Sequence, residues 1–430
     1  MTQLSFDHKQ AIAAQNRGGS TRYLFMDVLR VLAFSVIIYY HFFKDLAIRG
    51  IADITDPDFV LSMGRVHIVK LAVGMFFMIS GVGLAVKYSR MHSRAEVTTK
   101  SPCTPAVSTS RQSTPADNAS KTGKSDNGRT MFFGIWDAKT LKSYYIGRFK
   151  QILIPFYIVY IIYAIIKLKE TGGTLFGDTP AWRIVFTLLG LDNYCLLLSF
   201  RSFSLSIGEW FLSVLVVMYI LFPLIYALLK KYPKPTMIIG IIYFIVISYT
   251  ADKLRAMLPA SIAYRFATIM WHVDPFVKIC EFALGVFLGI YLEDIKRYPQ
   301  LIAVGLLAFT SIHPAIINTA LILAIFLIGL QMEKLLTREN AAGGQPASAA
   351  SSRISRGFTS IISAIAGLSY YIYLVHHAII YSVDDCLAGR VILSPKWILA
   401  LFIAELTVMV VTAMVLRKAS RMVQKLIVCQ

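Results

Sequence analysis

Long apolar blocks separated by short polar segments dominate the chain. The runs 23–43, 68–88, 149–168, 210–229, 235–249, 276–292, 299–312, 314–330, 361–383 and 392–416 each suit a membrane-spanning helix, or nearly so. Such a helix wants roughly 20 apolar residues. An eleventh stretch, 182–198, is apolar but interrupted by Asp192 and Asn193. Basic residues decide the orientation, because Lys and Arg in short loops stay on the cytoplasmic side. Lys9, Arg17 and Arg22 precede the first run, and the segment 89–148 is rich in Lys and Arg. Lys230, Lys231 and Lys234 follow the fourth run, and Lys296 and Arg297 the sixth. Lys334, Arg338, Arg353 and Arg356 follow the eighth; Arg417, Lys418, Arg421 and Lys425 follow the tenth. All of these fall on one side if 182–198 does not cross and is instead a re-entrant or surface segment on the outer face. The pattern predicts an all-α polytopic membrane protein with about ten transmembrane helices and both termini cytoplasmic.

Two polar stretches interrupt this plan. Residues 91–129 are rich in Ser, Thr, Pro, Asn and Lys with almost no apolar positions, which predicts a disordered cytoplasmic insertion. Residues 341–355, within a cytoplasmic segment 331–358, read as a flexible linker. The organisation is then a cytoplasmic tail 1–22, a membrane domain 23–416 and a cytoplasmic tail 417–430.

Composition supports the same class. The 430 residues are 56% hydrophobic and 16% charged, with mean hydropathy +0.62, which excludes an ordinary soluble globular chain. A net charge of +19 would suggest nucleic acid in a soluble protein. Here the basic residues sit where membrane orientation requires them, so no nucleic-acid partner is expected. The five cysteines are scattered with no metal spacing, and neither a disulfide framework nor a metal is expected. No short apolar core with a small-residue cleavage site opens the chain, so no cleaved signal peptide is expected.

One run carries charge inside its apolar pattern. Asp27, Arg30 and His41 all lie within 23–43. At about 100° per residue, the eleven steps from Arg30 to His41 return to within about 20° of the same face, with roughly 16 Å of rise. Asp27, three residues before Arg30, shares that face. Ionisable groups in hydrocarbon cost several kcal/mol and mark functional sites. His41 is a candidate general base, and the bland alternative is an interfacial residue beside Phe42 and Phe43. Asp27 and Arg30 have no interfacial explanation.

These residues also carry a resemblance. MDVLRVLAFSVIIYYHFF, with Arg30 and His41 separated by ten residues, resembles the first helix of the membrane-bound acyltransferase-3 family. AVGMFFMISGVGLA, RFKQILIPFY, EWFLSVLVVMYILFPLI, GVFLG and GLSYYIYLVHH are similar to later family segments, in the same order, to about residue 390. The resemblance implies an integral-membrane O-acyltransferase of a bacterial cytoplasmic membrane. Its donor would be cytoplasmic acyl-CoA, acetyl-CoA in the usual case, as a cosubstrate with no permanently bound cofactor. The acceptor would be a carbohydrate or glycolipid hydroxyl.

His41 is then the general base, or the residue of a covalent acyl-histidine. Arg30 holds the donor or stabilises the oxyanion, and Asp27 orients Arg30. Arg148 and Lys150 suit the CoA phosphates, although Gln151 stands where the family often has a second Arg. Glu209, Trp210 and His376 are candidate acceptor contacts, with His377 on another face. Glu209 also has an innocent explanation, as an acid complementing its helix dipole. The competing reading is a transporter or flippase that uses the Asp27–Arg30–His41 track; it lacks visible repeats or broken helices.

Overall fold

The computed structural model describes residues 23–54, 57–63, 66–100, 135–170, 180–191, 194, 210–257, 275–308, 310–311, 313–341 and 349–428. The longer helices are α1 (Leu24–Ile48), α2 (Ile68–Lys100), α3 (Ala138–Glu170), α4 (Trp210–Lys231), α5 (Pro233–Met257) and α6 (Pro275–Ile290). They continue as α7 (Leu301–Ala308), α8 (Pro314–Ala341), α9 (Ala349–Ala366), α10 (Ser369–Leu387) and α11 (Pro395–Val428). Four of them open on proline, which suits a first turn whose N–H has no partner in any case. Among the described residues the strands are confined to a small hairpin, Ser62–Met63 against Val66–His67.

The chain is a helical, multi-pass membrane protein. Seven described helices (α1 to α5, α8 and α11) are long and apolar enough to cross a bilayer. The pair Gly357–Ala366 and Ser369–Leu387, bent by 57°, makes an eighth if counted as one span. The expected ten included 276–292 and 299–312. The helices found there have 16 and 8 residues, about 24 and 12 Å of rise, which falls short of the hydrocarbon thickness.

Helix also replaces part of the expected disorder. α2 runs on to Lys100, ten residues into 91–129, and residues 101–129 lie outside the described residues. α8 and α9 occupy most of 331–358, and the 417–430 tail continues α11 to Val428. The N-terminal tail 1–22 lies outside the described residues. In 182–198 the described part is a 3-10 turn, Ala181–Arg183, and a five-residue helix, Ile184–Leu188. Gly190, at φ +70°, ends that helix, with Leu191 N bonded to Phe186 O at 2.7 Å and Gly190 N to Thr187 O at 2.9 Å.

Contacts between helix ends order the bundle. Tyr23 at the start of α1 donates to Glu293 just after α6 at 3.0 Å, and Phe25 N donates to Glu333 of α8 at 3.2 Å. Tyr291 donates to Leu229 O of α4 at 3.2 Å, and Lys334 to Lys296 O at 2.5 Å. Gln424 of α11 reaches Lys150 O in α3 at 3.2 Å. The start of α1 and the ends of α4, α6 and α8 therefore meet at one basic end. At the far end Arg49 pairs with Asp45 at 2.5 Å and with Asp385, tying α1 to α10.

Two devices tighten the core. Pro223 inside α4 has no N–H, so the carbonyl of Tyr219 four residues earlier lacks its helical partner. Tyr144 of α3 donates to that carbonyl at 2.7 Å. Trp136, fully buried, donates to Pro223 O at 3.0 Å. The second device is glycine. A Cβ on Gly285 would overlap the Met78 carbonyl, and one on Gly289 would lie 2.7 Å from both Ala85 Cβ and Val82 O. α2 and α6 thus touch backbone to backbone, as small residues permit between membrane helices.

Gly285→Ala should cost about 1–3 kcal/mol or prevent stable accumulation, because backbone must move to admit the methyl group. Gly83→Ala, where nothing lies within 4 Å, should be neutral or slightly stabilising. Thermal unfolding of both variants in detergent separates the two outcomes. Equal melting temperatures would contradict the close α2–α6 contact.

Candidate active site

A cavity of about 960 Å³ lies among α1, α2, α3, α4, α6, α8 and α10. Its lining includes Arg30, Arg148 and Gln151 towards the basic end and His41, His376 and His377 beyond them. The polar face of α1 points into this space. Asp27 is buried at 2% exposure, pairs with Arg30 at 3.3 Å and accepts from Ser363 of α9 at 2.8 Å. Two donors therefore aim at one carboxylate, which fixes Arg30 while the guanidinium remains open to the cavity. Arg148 and Ser80 lie beside the Tyr219 hydroxyl, which also lines the wall.

His41 meets two histidines rather than one. Its Nδ1 lies 3.1 Å from His377 Nε2, and the two rings cross edge-on at 4.2 Å. The His376 ring sits 5.2 Å from His41 and stacks on His377 at 4.1 Å. His376 Nδ1 is held by the Tyr373 carbonyl at 2.5 Å, so that nitrogen carries the proton. Its Nε2, buried, has no hydrogen-bond partner among the described residues. His377 also stacks on Tyr381 at 5.2 Å, and Arg49 lies over that ring. The latch at the far end thereby holds the histidine group in place.

The expected residues fall into three sets. Asp27, Arg30, His41, Arg148, Trp210 and His376 come together on or behind the cavity wall. Lys150 does not: its side chain is absent from the lining, and Gln151 takes the wall position. Glu209 lies outside the described residues. His377, placed on another face by its sequence position, is in direct contact with His41. Both histidines of the pair reach it because α10 presents the boundary between their two faces to α1.

The sequence reading passed over a further charged pair. Lys278 and Glu281, both on the cavity wall, bond at 2.9 and 3.0 Å. Thr319 adds a 3.4 Å contact to the carboxylate, and Gly74 leaves the space it occupies. Asn318, His67 and His313 line the same polar lobe. The signal was available: an acid and a lysine three residues apart inside the apolar run 276–292.

A family model described as an acyltransferase domain matches residues 23–416, nearly the whole chain. Neither a curated protein nor a solved structure matches.

Glu281→Leu should destabilise the protein by about 3–5 kcal/mol, because it leaves the largely buried Lys278 ammonium without its carboxylate. Lys278→Met/Glu281→Leu removes both charges and should recover most of that loss. Detergent melting curves of the single and double variants test this. A double variant no better than the single would show that the pair is not desolvated.

Proposed function

The chain belongs to the membrane-bound acyltransferase-3 family, and on that premise we propose that it moves an acyl group from cytoplasmic acyl-CoA to a glycan hydroxyl. The group is acetyl, and the acceptor is a surface or envelope glycan at a bacterial cytoplasmic membrane. One observation carries this reading: a single cavity is lined by Arg30 and Arg148 near the basic end and by His41 beyond them. With the basic end cytoplasmic, as positive residues favour, donor and acceptor enter the same space from opposite sides of the membrane.

The roles follow from distance. Arg148 and Arg30 face the donor, whose pantetheine arm has the length of the roughly 16 Å rise from Arg30 to His41. That separation favours Arg30 as a holder of the donor over a role at the oxyanion, since an oxyanion donor must lie about 3 Å from the reacting oxygen. Asp27 and Ser363 keep the guanidinium oriented. Lys150, in the first half of α3, contributes only charge to the approach.

At His41 the chemistry is base catalysis. When Nδ1–H donates to His377 Nε2, the Nε2 lone pair of His41 is free to take the acceptor's hydroxyl proton. The alkoxide oxygen attacks the thioester carbonyl, an O–C bond forms and the C–S bond breaks. The departing thiolate then takes the proton back from His41, so no proton is gained or lost. Trp210 offers a face for a sugar ring, His376 closes the wall beside it, and the Lys278–Glu281 lobe offers a donor and an acceptor to further hydroxyls.

His41→Ala should insert and fold normally yet abolish acyl transfer from radiolabelled acyl-CoA in membrane vesicles. Retained transfer would remove His41 from the mechanism. Arg30→Lys keeps the charge but loses the planar fork, and transfer should fall at least about tenfold. Full activity in that variant would reduce Arg30 to a point charge.

A further inference from the structure

We propose that His41, His376 and His377 bind a divalent ion of the Zn²⁺ class, held by three imidazole nitrogens with a fourth position open on the cavity. The three rings come from two helices, and one nitrogen from each lies within 4.8 Å of the others. Tetrahedral zinc with Zn–N bonds of about 2.0–2.1 Å sets its nitrogens roughly 3.3 Å apart. The His41–His377 pair, at 3.1 Å, is already at that spacing. Ring rotation of the third histidine has to close the widest gap by roughly 1.5 Å.

The hydrogen bonding favours a ligand. Metal-binding histidines usually give their second ring N–H to a carbonyl or carboxylate, which fixes the tautomer and aims the other lone pair. His376 is arranged this way: Nδ1 is bound to the Tyr373 carbonyl, and Nε2 is buried without a partner among the described residues. A lone pair left unused in an apolar interior is costly. An ion satisfies it. Between His41 and His377 the ion replaces the shared hydrogen, which moves to His41 Nε2, so both rings bind as neutral imidazoles.

Imidazole-only sites suit zinc and its neighbours in the first transition row and not Mg²⁺ or Ca²⁺, which take oxygen. Three carboxyl groups lie beyond the histidines, towards the far end. Asp45 lies one turn past His41, and Asp384, two turns past His377, sits against it. Glu405, at 2% exposure, neighbours both and has no hydrogen-bond partner among the described residues.

The consequence rests on the reading of His41 as the base: an ion on His41 takes its lone pair, so Zn²⁺ reversibly silences acyl transfer. Zn²⁺ and Co²⁺ titrated into the purified full-length protein provide the test. One Zn²⁺ per chain is expected, together with the intense d–d absorption of tetrahedral Co²⁺. His376→Ala and His377→Ala, each checked for a monodisperse elution profile, should weaken binding at least about tenfold. No stoichiometric binding by the unmodified protein overturns the site, as does binding that survives in both variants. The mechanistic reading is tested separately. If Zn²⁺ at full occupancy leaves acyl transfer unchanged, His41 is not the base, although the ion site stands.

Discussion

A bilayer offers no water to a buried charge, and that constraint organises this bundle. The polar face of α1 exists in hydrocarbon because other helices close over it: Ser363 of α9 on Asp27, and the histidine pair of α10 on His41. Lys278 and Glu281 answer the same requirement on α6 by pairing within one turn. Once those partners are in place, the space they enclose is lined by charged and polar groups from α1, α3, α6 and α10 set among apolar ones. Helix packing, cavity and candidate chemistry are thus consequences of where charge is allowed to sit.

Proline and tyrosine act together in the same economy of polar groups. Each proline within a membrane helix leaves a backbone carbonyl without its intrahelical donor. Tyr144 supplies that donor at Tyr219 beside Pro223, and Tyr370 bonds Ile152 O at 2.8 Å, the carbonyl next to Gln151 O, which Pro155 leaves without its donor. The turns around these prolines therefore become docking points between helices. Tyrosines that look like plain packing residues in the sequence hold α3 against α4 and α10.

The sequence made the architecture legible where the signal was strong. Apolar runs of about 20 residues became helices, and the α1 track of Asp27, Arg30 and His41 was visible because 3.6-residue periodicity places them on one face. Legibility stopped at contacts between distant segments. The His377–His41 contact spans 336 positions, and no local pattern shows that α10 turns both of its histidines to α1. Segment length misled as well. Residues 276–292 and 299–312 are apolar enough to count as spans, yet the helices described there have 16 and 8 residues, since hydropathy reports environment and not continuity of the hydrogen-bond ladder. The histidine group shows the same limit, because its three rings share no spacing motif.

The glycine contact between α2 and α6 has a mechanical meaning. Two backbones in direct touch leave no slack, so that side of the bundle behaves as a stiff keel. The opposite side is jointed: α9 and α10 meet at a 57° bend around Gly367 and Leu368. Because His376 and His377 sit on α10 beyond that bend, their position against α1 is set by the side-chain contacts to His41 and Arg49, not by a continuous helix.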